Sequence, residues 1–202
     1  MALNLFGVTV NDVQVTNTAV ADTETIVVRD LAAICGQTDY RAMEPGDELV
    51  GRYTDVVAEY AARGPVLPAP VGIVFRGNDS VQRWLELHYG ALTDALSFVE
   101  NRVAGRVHIW RSAPDARDAS SDVDALAAES LRALRRAAVA TLPMRVEKQT
   151  GVLLSAAFLV EQEQWKDFIG EVNAQKALAT GLRFELTGPW PPYDFVQMQL
   201  GA

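Results

Sequence analysis

The sequence predicts an α+β fold of two small sheet-plus-helix domains of ferredoxin-like type, and three observations carry that expectation. Strand-like and helix-like segments follow one another as β, β, β, α, β, α in the first half and as β, long α, β, α, β from Arg102 onward. Apolar residues form 49 % of the 202 and charged residues 22 %, which supplies packed cores and lies outside the disordered range. The stretch SAPDARDASS, 112–121, is the most linker-like in the chain. The expected domains are therefore residues 1–111 and 112–202, with the strand at 102–110 able to belong to the second.

The elements follow in order. LFGVTV (5–10), TIVV (25–28) and DLAAIC (30–35) are apolar and β-branched, as strands require. From Glu44 to Arg63 the spacing of Leu49, Tyr53, Val56, Val57 and Tyr60 lays one stripe along a helix, with Pro45 in its first turn and Gly64-Pro65 as its stop. In PVLPAPVGIVF (65–75) the prolines hold the chain extended and GIVF reads as a buried strand. One helix is then expected from Asp79 to Val99, with Asp79 and Gln82 as a capping box and His88 on its apolar stripe. RVAGRVHIW (102–110) alternates as a strand and puts His108 on the polar face. A long helix over 122–142, capped by Ser121, aligns Val123, Leu126, Ala127, Leu131, Leu134, Ala138 and Leu142. GVLLSAAFLV (151–160) has the length and continuous apolarity of a central strand. A helix over 162–177 buries Trp165, Phe168, Ile169 and Val172, and LRFELT (182–187) alternates as the last strand.

The net charge of −8 argues against nucleic acid and anionic membrane surfaces, which would repel the chain at long range. The densest basic group, Arg132, Arg135 and Arg136 with Arg145 and Lys148 beyond, reads as a solvated helix end complementing the dipole, and is a weak candidate for an acidic partner. Cys35 is the single cysteine, set among apolar residues, so no internal disulfide forms and a reducing, cytoplasmic compartment is expected. MALNLFGVTV lacks the basic and long apolar regions of a signal peptide, and LLSAAFLV is far shorter than the ~20 residues that span a bilayer.

Catalytic signatures do not emerge. GxxxxGK[ST], GxGxxG, HExxH, CxxC and GxSxG are all missing. A metal or nucleophilic site would need Cys35, His88 and His108 to converge, and their spacing gives no reason for it. The acidic pairs Asp122/Asp124 and Glu161/Glu163 lie at helix starts, where the dipole favours them. No catalytic, metal or cofactor-binding residue is expected, and no cofactor.

The most distinctive segment is TGPWPPYDFV, 187–196. Together with LLSAAFLV and GLRFELT before it, this run resembles the C-terminal signature of the gas vesicle protein GvpL/GvpF family, a strand ending in Gly-Pro-Trp-Pro-Pro-Tyr-x-Phe-Val. VLPAPVGIVF and RDLAAIC resemble that family's central and early blocks, so the resemblance covers essentially the whole chain. Two departures stand out: the family commonly has a glutamate where this chain carries Ala104, and the stretch between Trp110 and the long helix is compact. The resemblance implies two α+β domains and a non-catalytic accessory protein for gas vesicle assembly. It implies contact with the small hydrophobic shell protein and with other gas vesicle accessory proteins, in the cytoplasm and associated with vesicles.

Within the signature, Gly188 and Pro189 are expected to end the last strand, while Pro191 and Pro192 hold the chain extended beyond Trp190. If extended, Tyr193 and Phe195 share one face and can pack back on the body. Two roles stay open for Gly188, Pro189, Trp190, Pro191, Pro192, Tyr193 and Phe195: a clip that closes the fold, or a face for a partner. A different class of function, small-molecule binding or catalysis on the same α+β scaffold, is the alternative to assembly.

Overall fold

A computed structural model describes residues 1–12, 15, 20, 22–39, 46–112, 120–145 and 151–196, with the backbone alone for 120–122. The chain divides into two compact units, Met1–Asn101 with Pro191–Ala202, and Arg102–Trp190. The sequence puts the division at 111/112, with the strand at 102–110 able to belong to the second domain. The units part at 101/102, because the strand that starts at Arg102 pairs along its length within the second sheet.

The first unit contains β1 (Ala2–Val10), β2 (Glu24–Val28), β3 (Leu31–Thr38), α1 (Asp47–Ala61), β4 (Val66–Pro68), β5 (Val74–Phe75), α2 (Asn78–Leu87) and α3 (Tyr89–Val99). Its sheet runs β2-β3-β1-β4, antiparallel throughout, with β5 also on β1. β1 is buried along almost its whole length because helices cover both faces of this sheet. On one face Phe6, Ile34 and Val66 pack with Tyr53, Val56, Val57 and Tyr60 of α1. On the other, Leu3, Leu5, Val8 and Leu67 pack with Val81, Trp84 and Leu85 of α2 and Leu92, Leu96 and Val99 of α3. A register shift between Leu5 and Gly7 interrupts the alternation, so that Val8 faces the same core as Leu3 and Leu5.

The second unit contains β6 (Arg102–Arg111), α4 (Ser120–Arg136), β7 (Ala140–Pro143), β8 (Val152–Glu161), α5 (Trp165–Leu178) and β9 (Leu182–Trp190). The antiparallel sheet runs β7-β8-β6-β9, the order of a ferredoxin-like split βαβ arrangement, and the main sheet of the first unit has the same order. Val107, Ile109, Phe158 and Phe184 pack under Ala127 and Leu134 of α4 and Phe168 and Val172 of α5. The α+β class expected from the sequence is what the chain adopts.

Several boundaries differ from expectation. The long helix stops at Arg136, and Ala140–Pro143 forms an edge strand on β8. Leu134, Ala138 and Leu142 keep helical spacing, but Pro143 disfavours helical backbone at Leu142 and β8 offers a ladder instead. The helix expected over 79–99 breaks at His88, which has φ −102° and ψ 10°. Its capping box does not form: α2 starts at Asn78 without a side-chain cap. GIVF is half-buried, and only Val74 and Phe75 pair, with Asn4 and Leu3. Ser121, expected as a cap, falls inside α4. Pro45 and Glu44 lie outside the described residues, as do Lys148 and most of the linker.

Candidate functional site

The groups with intrinsic reactivity come first. Cys35 lies fully buried in β3, where desolvation, with Glu24 nearby, pushes its thiol from the ordinary 9.0 up to about 12. Such a thiol is not a nucleophile at neutral pH. His88 packs against the Trp84 ring at 5.5 Å, and its Nε2 is buried without a hydrogen-bond partner among the described residues. His108, in the second unit, meets Ser155 Oγ through Nδ1 at 2.8 Å across β6 and β8. Ser155 is only 8 % exposed, and the pair is a satisfied cross-strand contact. Among the described residues no three His, Cys, Asp or Glu side chains gather where a metal could bind. Arg132, Arg135 and Arg136 are exposed near the end of α4.

The signature is more informative. β9 does not end at Gly188; it continues to Trp190, which stands opposite Ala104. Thr187 faces Arg106, so Gly188 and Pro189 together oppose the single residue Gly105. This is a bulge, the place in a ladder where a residue without an N–H is tolerated. The peptide between Gly188 and Pro189 is cis, and Gly188 has φ +124°. A Cβ on Gly188 would lie 2.8 Å from the Ala104 carbonyl oxygen and 3.3 Å from the Trp165 ring. A Cβ on Gly105 would lie 2.6 Å from that same ring. Two glycines on neighbouring strands thus leave the space that the Trp165 indole fills, and the ring stacks in turn on Phe168 at 5.7 Å. Trp190 itself remains 45 % exposed.

From Pro191 the chain belongs to the first unit. Pro192 is buried, and Tyr193–Phe195 form a short 3-10 turn rather than an extended segment, so Tyr193 and Phe195 do not alternate across one face. Tyr193 lies 6.3 Å from the Tyr53 ring, which lies 6.3 Å from Phe6. Tyr53 donates its hydroxyl to the Ala69 carbonyl, and burial, with Tyr193 beside it, raises its pKa. Burial also raises that of Tyr193, whose hydroxyl has no partner among the described residues. Val196 packs on the core beneath α2 and α3. Phe195 is half-buried.

The sequence singled out the signature residues but not their neighbours: Gly105 and Trp165 beside Gly188, and Tyr53 beside Tyr193. Trp165 looked like any member of a helical stripe. Gly105 sat inside a strand, the one signal that another group approaches the backbone there.

Comparison with known proteins places this arrangement. The family described as gas vesicle synthesis protein GvpL/GvpF matches residues 4–123 and 111–197. Gas vesicle protein F2 of Halobacterium salinarum is 25 % identical over 182 residues, spanning 88 % of this chain and 82 % of that protein. Gas vesicle protein F of Haloferax mediterranei is also 25 % identical, over 88 % of this chain and 83 % of its own. The crystal structure of the gas vesicle protein GvpF from an Anabaena species superposes with a TM-score of 0.83 at 15 % identity, covering 98 % of this chain and 97 % of that one. GvpF from Microcystis aeruginosa gives 0.77 at 14 % identity, over 98 % and 99 %. The two crystal structures share the fold, the sequence match extends over both units, and the chain belongs to the gas vesicle synthesis protein GvpL/GvpF family.

Proposed function

We propose that this chain is a gas vesicle accessory protein that binds the small hydrophobic shell protein during vesicle formation, without catalysis and without a cofactor. The observation that carries the reading is the family match from residue 4 to residue 197, which takes in both units and the C-terminal signature. The physical rationale is general. A shell subunit with exposed apolar strands and helices aggregates unless a folded partner covers those surfaces before assembly. Both units of this chain expose large apolar side chains that such a partner could meet, among them Val50 and Leu87 in the first and Leu142 and Leu178 in the second. Among the described residues no helix is long and apolar enough to cross a membrane. A cytoplasmic protein that associates with vesicles, and with other accessory proteins there, fits this role.

Within it, the signature serves as a clip. Gly188 and Pro189 shape the bulge, Trp190 ends the ladder, and Pro191, Pro192, Tyr193 and Phe195 carry the chain onto the first unit. The contacts of Tyr193 and Val196 support this assignment, while the exposed half of Trp190 is what a partner-contact role would use. Co-expression with the shell protein, followed by affinity capture of the tagged chain, tests the function. Recovery of a stable complex is expected; the shell protein passing through uncaptured overturns it.

A further inference from the structure

The second unit holds a pocket of about 800 Å³ at the end of its sheet where β6 finishes and β8 and β9 begin. Its charged lining is entirely basic among the described residues: Arg111 at the end of β6, Lys176 in the last turn of α5, and Arg183 at the start of β9. Trp110, Val152 and Leu153 supply apolar wall. In a chain of net charge −8, three cations line one pocket, and with Asp124 and Glu185 beside two of them a local excess of positive charge remains. We propose that this pocket binds an acidic polypeptide segment of a partner through its carboxylates, an inference independent of whether the shell protein is that partner.

Of the three cations, Lys176 and Arg183 are the ones open to exchange, while Arg111 is largely buried at 22 % exposure and already engaged. Arg183 faces Trp110 across the β6–β9 ladder, and its guanidinium carbon lies 4.9 Å from the centre of the indole ring. A cation–π contact of this kind steadies the guanidinium. Arg183 approaches Glu185 at 3.6 Å, and Arg111 approaches Asp124 at 3.6 Å. Both separations exceed hydrogen-bond contact, and in the Arg183–Glu185 pair both side chains are well exposed, at 66 % and 48 %, so that pair is screened and exchangeable. Lys176 has no ion pair among the described residues.

The chemistry favours carboxylates along a chain over a lone phosphate. Phosphate sites draw on backbone N–H groups at a helix N-terminus, whereas this pocket meets the opposite end of α5, whose dipole opposes any anion and has to be outweighed by the side-chain cations. Only long side chains at the rim offer positive charge, spread over two strands and a helix. The chain's own Asp124 and Glu185 already stand in the positions that a partner's acidic side chains would take.

The test titrates hexaglutamate, hexaglutamine and inorganic phosphate, at matched ionic strength, into the full chain while following the Trp110 indole N–H resonance. Hexaglutamate is expected to shift it, hexaglutamine is not, and affinity is expected to fall as salt rises. Lys176→Glu with Arg183→Glu should weaken hexaglutamate about tenfold or more. The charge-matched control Arg132→Glu with Arg135→Glu should leave it unchanged. Failure of hexaglutamate to bind the wild-type chain, equal binding by the pocket variant and its control, or inorganic phosphate binding as tightly as the peptide each overturns the assignment. The wild-type titrations alone decide it if the pocket variant does not fold.

Discussion

Replacing Gly188 by alanine tests whether the signature is shaped by packing. The backbone there has φ +124°, a region that side chains with a Cβ rarely adopt. The added methyl would sit 2.8 Å from the Ala104 carbonyl oxygen, 3.2 Å from Gly105 Cα and 3.3 Å from the Trp165 ring. Two of those three atoms are backbone of β6, which cannot move without disturbing the pairs Ala104↔Trp190 and Arg106↔Thr187. A strained backbone conformation costs about 1–3 kcal/mol and overpacking about 1–3 kcal/mol, so the expected loss is roughly 2–6 kcal/mol. For a chain of this size each 1 kcal/mol moves the melting temperature by about 2–4 °C, which predicts a fall of roughly 4–24 °C. Thermal melting followed by circular dichroism measures it. Gly170→Ala is the control: a Cβ there meets nothing within 4 Å, and alanine is the better helix former by about 1 kcal/mol, so that variant should melt higher. Gly188→Ala melting within about 2 °C of wild type would refute the packing argument.

Other expectations follow from the same geometry. Tyr53→Phe leaves the Ala69 carbonyl without its donor and should cost about 1–3 kcal/mol in urea unfolding, whereas Tyr193→Phe, which removes a hydroxyl without a partner among the described residues, should be neutral or stabilising. Trp190 is 45 % exposed, and truncation to alanine should cost about 2 kcal/mol from the buried half of its ring; an unchanged melting temperature with loss of shell-protein capture would make it a contact residue instead. Cys35 titrates at about 12 when folded against an ordinary 9.0, so the folded state keeps its proton longer. Its contribution is therefore fully present below pH 9.0 and is lost as pH rises toward about 12, at up to about 1.4 kcal/mol per pH unit. Alkaline unfolding of Cys35→Ala should show a shallower slope across that window, and an identical slope would show that the thiol does not contribute.

Much of the fold was legible because its signals are local. The continuous apolar runs LAAIC and LLSAAFLV announced strands buried in their sheets, and the stripe through Tyr53, Val56, Val57 and Tyr60 announced α1. β7 was not legible, since Ala140–Pro143 extends the helical spacing of α4 and becomes a strand only through β8, which follows later in sequence. The break at His88 was hidden for a related reason: stripes on either side of it have one phase, and tertiary packing decides the turn between them. The signature's composition was visible but its geometry was not. A bulge depends on the partner strand, and nothing within GPWPPYDF indicates that Gly105 and Trp165 lie beside it. The basic pocket was equally hidden, because Arg111, Lys176 and Arg183 are far apart in sequence and meet only at the end of the sheet.

A role in vesicle assembly is put to the test by deleting the gene in a vesicle-forming host. Vesicles counted by electron microscopy should be lost or sharply reduced, and restored by the wild-type chain supplied in trans. Vesicles of normal number and shape in the deletion strain would contradict the claim.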